Sequence, residues 1–309
     1  MTSNNKTLQQ YFEDYLLECE YSKGLRSKTI ATYKDVFNNF SRVMPEIKHH
    51  DDLEPWVVQE FFKRLGLRAK ENRTTLRAST KRTYFNKLCV FFKWLEKNEL
   101  ILDHFIPNLV KPPNPSYEDE KALHHHDVST IIASINLHSI DNVFMQRRDL
   151  VIIYLLLYTG IRRGELLGLR VQDINFANKT MFINGRTSKS KKSRYLPLHF
   201  TVLTHLKSYL NIRKTLQLNC DALIISTKDD RELTEYGLKH WVERYNRLSG
   251  IKFHIHQFRH TFACNLAKRN ADLISIKNLL GHSSPHMTEQ YLRSIKTESA
   301  RLHIENLEY

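Results

Sequence analysis

The chain has 309 residues and a mass of 36.6 kDa, a length that predicts about two domains. Its 47 Lys and Arg residues outnumber 33 Asp and Glu residues, which gives a formal net charge of +14. This excess favours a polyanionic partner and disfavours an acidic interaction module, while 41% hydrophobic and 26% charged residues are typical of a globular protein and not of a disordered one.

Helical periodicity covers the chain to about residue 100. Apolar residues recur at helical spacing over residues 8–16, and a second stripe follows a potential N-cap at Ser27. Trp56 begins a third stripe, and Ser79 is a candidate N-cap of a fourth. We therefore expect residues 1–106 to form a bundle of four helices.

One segment of this bundle is unusually basic. Between residues 63 and 87 there are nine Lys or Arg residues and a single acid, Glu71. A solvated helix face is the plainer interpretation, but the imbalance favours a surface that binds phosphates. The predicted contact residues are Lys63, Arg64, Arg68, Lys70, Arg73, Arg77, Lys81, Arg82 and Lys87.

A proline-rich stretch divides the chain. Residues 107–120 hold four of the eight prolines, which predicts an extended linker. The remaining residues, 121–309, mix two periodicities and predict an α+β domain with a small antiparallel sheet in a mainly α protein. Strands are expected over residues 180–184, 194–198 and 222–226.

Buried and amphipathic helices are expected around these strands. Nine consecutive apolar residues, 150–158, predict a buried helix that Thr159-Gly160 ends. A membrane span needs about 20 residues, so this run is too short to cross a bilayer. Further helices are expected through Glu165 and over residues 203–210, 234–248, 258–269, 272–280 and 297–307.

Two segments place polar residues where packing does not require them. Arg162 directly follows the buried helix, and Glu165, one turn later, could pair with it. His256, Arg259 and His260 fall at i, i+3 and i+4 of a helix, on one face. An internal Arg–Glu pair and a metal site are the competing interpretations, although an arginine among the histidines would repel a cation.

Two further segments complete a cationic set. His282 follows the helix-ending Gly281, and Tyr291 lies nine residues further on. Alone, this tyrosine would be a packing residue. The loop between the first two strands is basic, and alone it would be a solvated turn. Its basic residues are Arg186, Lys189, Lys191, Lys192 and Arg194.

Together these residues suit a phosphodiester. Guanidinium, ammonium and imidazole groups can bind its oxygens, and a tyrosine can supply an oxygen nucleophile. A carboxylate cluster for Mg²⁺ and a Gly-rich phosphate loop are both missing from the sequence, which argues against a two-metal nuclease and an NTPase. No metal or other cofactor is expected.

At this point the sequence resembles the tyrosine recombinase family, also called phage integrases. The motifs TGIRRGELLGL, HQFRHTFA, LLGH and EQYLR and the basic loop carry the likeness. It covers residues 121–301 and extends more weakly to the N-terminal bundle, which is similar to the family's SAM-like core-binding domain. The matching catalytic positions are Arg162, Lys189, His256, Arg259, His282 and Tyr291.

The resemblance implies a mechanism. Tyr291 attacks a scissile phosphate and becomes joined to the 3′ phosphate, while Arg162 and Arg259 stabilise the transition-state charge. Lys189 protonates the departing 5′ oxygen, a role that Lys191 would take if the alignment slipped. His256 assists proton transfer and His282 hydrogen-bonds the phosphate. Glu165 and His260 are expected to support the site without contacting the phosphate.

The resemblance also implies partners. Two basic domains could close on double-stranded DNA, and strand exchange implies a homotetramer on two sites formed from protein that is monomeric in solution. The final segment, with Ala300, Leu302, Ile304 and Leu307, would dock on a neighbouring protomer; the alternative is an internal lid helix. The bundle begins near Leu8, which suggests that no arm-binding domain precedes it.

Compartment and biological role follow less directly. The first residues lack an apolar signal core, and the four cysteines form no CxxC pair, which together predict a cytoplasmic protein with reduced thiols. Integration, excision and dimer resolution remain open. Alternatives are a type IB topoisomerase-like relaxing enzyme, a non-catalytic DNA-binding regulator and, most weakly, a zinc protein using residues 124–126.

Overall fold

The computed structural model divides the chain into two compact units, Met1–Glu118 and Asp119–Tyr309. The residues that the structure describes are 6–71, 73–102, 105–106, 108–112, 122–187 and 192–282. Most of these residues are helical, and a small antiparallel sheet lies in the second unit, which confirms the expected fold class. No helix in the described ranges is long and apolar enough to cross a membrane.

The first unit contains the four expected helices. Two predicted starts are displaced, because the residues that precede the second and fourth helices are Arg26 and Arg77, with no side-chain cap hydrogen bond. Ser27 and Ser79 therefore lie inside the first turn. The helices are α1 (Leu8–Leu17), α2 (Ser27–Val43), α3 (Pro55–Glu71) and α4 (Ala78–Lys97).

Aromatic side chains fill the core of this unit. Phe12 and Phe37 stack with their ring centroids 3.9 Å apart, and Phe91 meets both rings edge-on. Such pairs contribute beyond the area that they bury. Leu109, from the stretch predicted as an extended linker, is 4% exposed and belongs to this core. The beginning of that stretch is thus packed on the bundle.

The second unit is built around one buried helix. Helix α6 (Val143–Thr159) is apolar on all sides from Leu150 to Tyr158, and it packs against α5 (His125–His138), α7 (Arg163–Gly168), α8 (Phe200–Thr215) and α10 (Ile255–Lys268). Its end at Gly160 confirms the sequence prediction, since this residue adopts φ +59°, a left-handed conformation that favours glycine. The other α-helices described in this unit are α9 (Glu235–Ser249) and α11 (Leu273–Leu280).

The sheet confirms two of the three predicted strands. Strands β1 (Ile174–Asn175), β2 (Thr180–Ile183) and β3 (Arg194–Pro197) are antiparallel in that order, with Ile183 opposite Arg194. The prediction of a strand over residues 222–226 is wrong: there the backbone forms only isolated bridges.

The buried Arg213 explains the missing strand. Its guanidinium donates to the carbonyl oxygens of Cys220, Ala222 and Leu223, and the Leu223 N–H donates to the Leu169 carbonyl. These backbone groups are satisfied by a side chain and a loop, so they are not available to a continuous strand ladder.

Candidate active site

Arg162 and Glu165 form a pair at the start of α7. Arg162 is the extended N-cap residue, and its backbone N–H donates to Glu165 Oε2 over 3.0 Å. Its guanidinium Nη1 lies 3.1 Å from Glu165 Oε1. The predicted pairing is therefore present. Because the Glu165 carboxylate is fully buried, it holds the Arg162 side chain in one position.

Arg194 is a second partner of the same carboxylate. From the first position of β3 it donates through Nη1 and Nη2 to Glu165 Oε1 and Oε2, over 3.0 and 2.9 Å. Its side chain is 12% exposed. Arg194 was predicted to contact DNA as part of the basic loop, but its guanidinium points inward to Glu165.

Arg259 lies on α10 and is 1% exposed. Its Nη1 donates to the Gly160 carbonyl and its Nη2 to the Leu280 carbonyl, each over 2.7 Å. A Cβ on Gly160 would lie 2.5 Å from Phe262 Cδ1, so the close packing of the Phe262 ring against residue 160 needs a glycine there. Arg259 thereby connects the ends of α6 and α11.

Three arginines converge on the last carbonyls of α11. Arg194 Nε donates to Leu279 O over 3.1 Å, Arg259 to Leu280 O, and Arg162 Nη2 to Gly281 O over 3.1 Å. A helix C-terminus carries partial negative charge and unsatisfied carbonyls, which guanidinium groups satisfy. The carbonyls therefore bring the two predicted catalytic arginines to one point. Only the glycine that ends α11 hinted at this arrangement in the sequence.

The three histidines of the site differ in environment. His282, directly after this helix end, is 6% exposed. Burial, then the charges of Arg259 and Arg162, lower the pKa of His282 to about 3. His256 is exposed, and its charge also acts on His282.

His260 is 4% exposed, with Nε2 3.7 Å from Cys264 Sγ. The three residues predicted to share one helix face thus differ in exposure: His256 is exposed, while Arg259 and His260 are buried. The supporting role of His260 stays a prediction.

Several predicted residues lie outside the described ranges. They are Lys189, Lys191, Tyr291 and the apolar positions of the final segment. The root of the basic loop is described: a Cβ on Gly168 would lie 2.3 Å from Thr187 Cγ2, so this glycine admits Thr187 against α7. Beyond it, Arg186 and Lys192 are both exposed.

The basic segment of the first unit divides into two groups. Arg64 is paired with Glu46 and Glu60, Arg82 donates to the Pro112 carbonyl, and Lys87 lies over the ring of Tyr33. Lys81 is half-buried. The exposed members are Lys63, Arg68, Lys70, Arg73 and Arg77.

The histidine run has a structural role. His124 is the N-cap of α5, and its backbone N–H donates to the Asp127 carboxylate. Over the described ranges, His, Cys, Asp and Glu side chains form no group of three or more that could hold a metal ion.

Known proteins place this arrangement in a family. Residues 121–298 match the model of the phage integrase family. The tyrosine recombinase XerC of Thermodesulfovibrio yellowstonii is 30% identical over 295 residues, which cover 92% of this chain and 91% of that protein. The chain therefore belongs to the phage integrase family and is a tyrosine-type site-specific recombinase.

Solved structures share the fold. The XerH site-specific recombinase bound to a palindromic difH substrate matches 97% of this chain and 90% of its own, with a TM-score of 0.71 at 20% identity. A lambda integrase tetramer bound to a Holliday junction matches 94% of this chain and 78% of its own, with a TM-score of 0.70 at 18% identity. At these identities the likeness shows that the chain shares their fold.

Proposed function

We propose that this chain cleaves and rejoins double-stranded DNA through a 3′-phosphotyrosine on Tyr291. In this reaction the Tyr291 hydroxyl gives its proton to His256 and its oxygen bonds to phosphorus, the bond from phosphorus to the 5′ oxygen breaks, and that oxygen takes a proton from Lys189. A 5′ hydroxyl of a second strand later reverses the step. The single observation that carries the proposal is the convergence of Arg162, Arg259 and His282 at the end of α11.

In this proposal Arg162 and Arg259 bind the non-bridging oxygens of the scissile phosphate. Both side chains are held by the protein before DNA arrives, and preorganised donors stabilise transition-state charge most effectively. His282 donates a hydrogen bond as a neutral imidazole, and the exposed His256 exchanges protons near the tyrosine. Glu165 and His260 position these groups.

Charge supports the choice of DNA as substrate. The exposed members of the basic segment in the first unit, together with Arg186 and Lys192 in the second, can neutralise backbone phosphates. We propose that these residues supply affinity and register and that the core-binding domain is residues 1–106. The linker is residues 107–120, and the catalytic domain is residues 121–309.

Assembly follows from the chemistry of exchange. The lambda integrase structure is a tetramer on a Holliday junction, and we propose that this chain likewise acts as a homotetramer on two DNA sites. The final segment, with Ala300, Leu302, Ile304 and Leu307, would link neighbouring protomers. A monomeric free form, located in the cytoplasm, completes the proposal.

Trapping of the covalent intermediate tests the nucleophile. Nicked duplex oligonucleotides of randomised sequence would be incubated with the protein in EDTA, and adducts would be recovered from denaturing gels and sequenced. The nick lets the short 5′ strand diffuse away, so the adduct accumulates. We expect wild type and Tyr236→Phe, an exposed tyrosine on α9, to form adducts and Tyr291→Phe to form none. An adduct with Tyr291→Phe would show that another residue attacks.

A further inference from the structure

Arg194 has the contacts of a fixed side chain. Its Nη1 and Nη2 donate to the two oxygens of Glu165, and its Nε donates to the Leu279 carbonyl. All three guanidinium nitrogens thus bind protein, and 12% of the side chain is exposed. A fork that binds both oxygens of a carboxylate determines the orientation of that carboxylate.

Glu165 is shared between two arginines. Its Oε1 accepts from Arg162 Nη1 and Arg194 Nη1, and its Oε2 accepts from the Arg162 backbone and Arg194 Nη2. One buried negative charge therefore lies between two positive charges. Because Arg194 orients the carboxylate, it also determines where Glu165 holds the guanidinium of Arg162.

Arg194 also lies against the end of α11. A Cβ on Gly281 would be 2.9 Å from Arg194 Nη1 and 3.0 Å from its Cζ. The residue after Gly281 is His282. The same guanidinium that orients Glu165 therefore packs on the backbone that leads into the phosphate-binding histidine.

We propose that Arg194 is a positioning residue for strand cleavage, which acts through Glu165 on Arg162 and through Leu279 and Gly281 on the end of α11. This inference rests on the proposed function, since it assumes that Arg162 binds the scissile phosphate. In this proposal Arg194 affects the rate of the chemical step and not the affinity for DNA. Lys192, two residues earlier and exposed, keeps the role in DNA affinity.

The test separates chemistry from binding. Cleavage rates would be measured in single turnover at saturating DNA, on a nicked duplex selected as above, together with DNA affinity by gel retention. For Arg194→Met we expect cleavage to slow by roughly 10²-fold, the effect of misplacing a catalytic group by about 1 Å, with little change in affinity. Lys192→Met should show the opposite pattern. Arg170→Met, which removes an arginine paired with the exposed Glu232, is the matched control and should change neither.

A double variant tests the route of action. Because one route of Arg194 runs through Arg162, Arg162→Ala with Arg194→Met should cleave faster than the product of the two single defects predicts, since coupled residues are not additive. Fully multiplied defects, or an Arg194→Met defect confined to affinity, would overturn the inference. Arg194→Lys, which keeps the charge, provides the same comparison if the methionine variant does not fold.

The same data distinguish the inference from the proposed function. Arg162→Ala cleaving at the wild-type rate would contradict the proposed function itself. A severe defect in Arg162→Ala with an unaffected Arg194→Met would contradict only the role of Arg194.

Discussion

His282 is a neutral imidazole near pH 7. Burial and the neighbouring guanidinium charges of Arg259 and Arg162 hold its pKa at about 3, far below its ordinary value of 6.5. A neutral imidazole still has one N–H to donate. In the proposed mechanism the cationic charge for the phosphate would therefore come from the arginines, and His282 would contribute a directed hydrogen bond.

The depressed pKa makes stability depend on pH. In the unfolded chain His282 binds a proton below about pH 6.5, whereas in the folded chain it does so only below about pH 3. Acidification between these two pH values therefore favours unfolding. Between about pH 7 and pH 5 the loss from this residue should be about 2 kcal/mol. Urea unfolding of wild type and His282→Gln at the two pH values measures it. An equal loss in both proteins would contradict the assignment.

Arg259 needs its fork as well as its charge. A lysine at this position keeps one positive charge but cannot donate to the Gly160 and Leu280 carbonyls in the planar geometry of a guanidinium. Arg259→Lys should slow single-turnover cleavage on the order of 10²–10³-fold while DNA is still retained in gels. Arg163→Lys, in an exposed pair with Glu235, is the control. Lost retention in Arg259→Lys would make Arg259 chiefly a binding residue.

At the scale of elements, α7 and the loop between β2 and β3 meet at a glycine. A Cβ on Gly168 would lie 2.3 Å from Thr187 Cγ2 and 2.7 Å from its Cβ, distances that atoms do not adopt. Thr187 Oγ1 also donates to the Asn184 carbonyl over 2.9 Å, which closes the root of the loop. The absence of a side chain at Gly168 thus determines where the basic loop begins.

Two Gly→Ala substitutions should have opposite signs. Gly168→Ala should destabilise the protein by about 1–3 kcal/mol, because Thr187 must move. Gly66→Ala, inside α3 with nothing within 4 Å of the added methyl group, should stabilise it by about 0.5–1 kcal/mol. Chemical denaturation of both variants measures the difference. A neutral Gly168→Ala would mean that the loop root yields easily.

At the scale of the whole molecule, net charge and usable charge differ. The chain carries a formal charge of +14, but part of its basic segment is engaged internally, as in the pairs of Arg64 with Glu46 and Glu60. Exposed residues such as Arg73 can approach phosphates. The salt dependence of DNA binding should therefore follow the number of exposed basic residues more closely than the formal net charge.

One pair of variants tests this distinction. Arg73→Ala should weaken DNA binding and reduce the slope of log affinity against log salt by about 1, the value for one lost phosphate contact. Arg64→Ala removes the same charge, but from a side chain already paired with Glu46 and Glu60, so its slope should change less. Titrations across a range of salt concentrations compare them. Equal changes in slope would show that pairing with carboxylates does not decide which cations bind DNA.

The sequence by itself determined the four helices of the first unit, most helices of the second, the ends of α6 and α11 at Gly160 and Gly281, two of the three strands and the pairing of Arg162 with Glu165. These features depend on apolar periodicity and on groups within one turn of each other, and neighbours along the chain report both. It also carried the six motif positions on which the family resemblance depended.

Only the tertiary structure decided the remainder. Arg194 is 29 residues from Glu165 along the chain, and Arg259 is 99 residues from the carbonyl of Gly160. The strand predicted over residues 222–226 is absent because the folded chain brings the Arg213 guanidinium to the carbonyls of Ala222 and Leu223. After folding, a guanidinium donates to whichever carbonyl or carboxylate oxygens lie within hydrogen-bond distance. A sequence pattern shows that the charge is present, but it does not show which distant oxygen atoms will accept its hydrogen bonds.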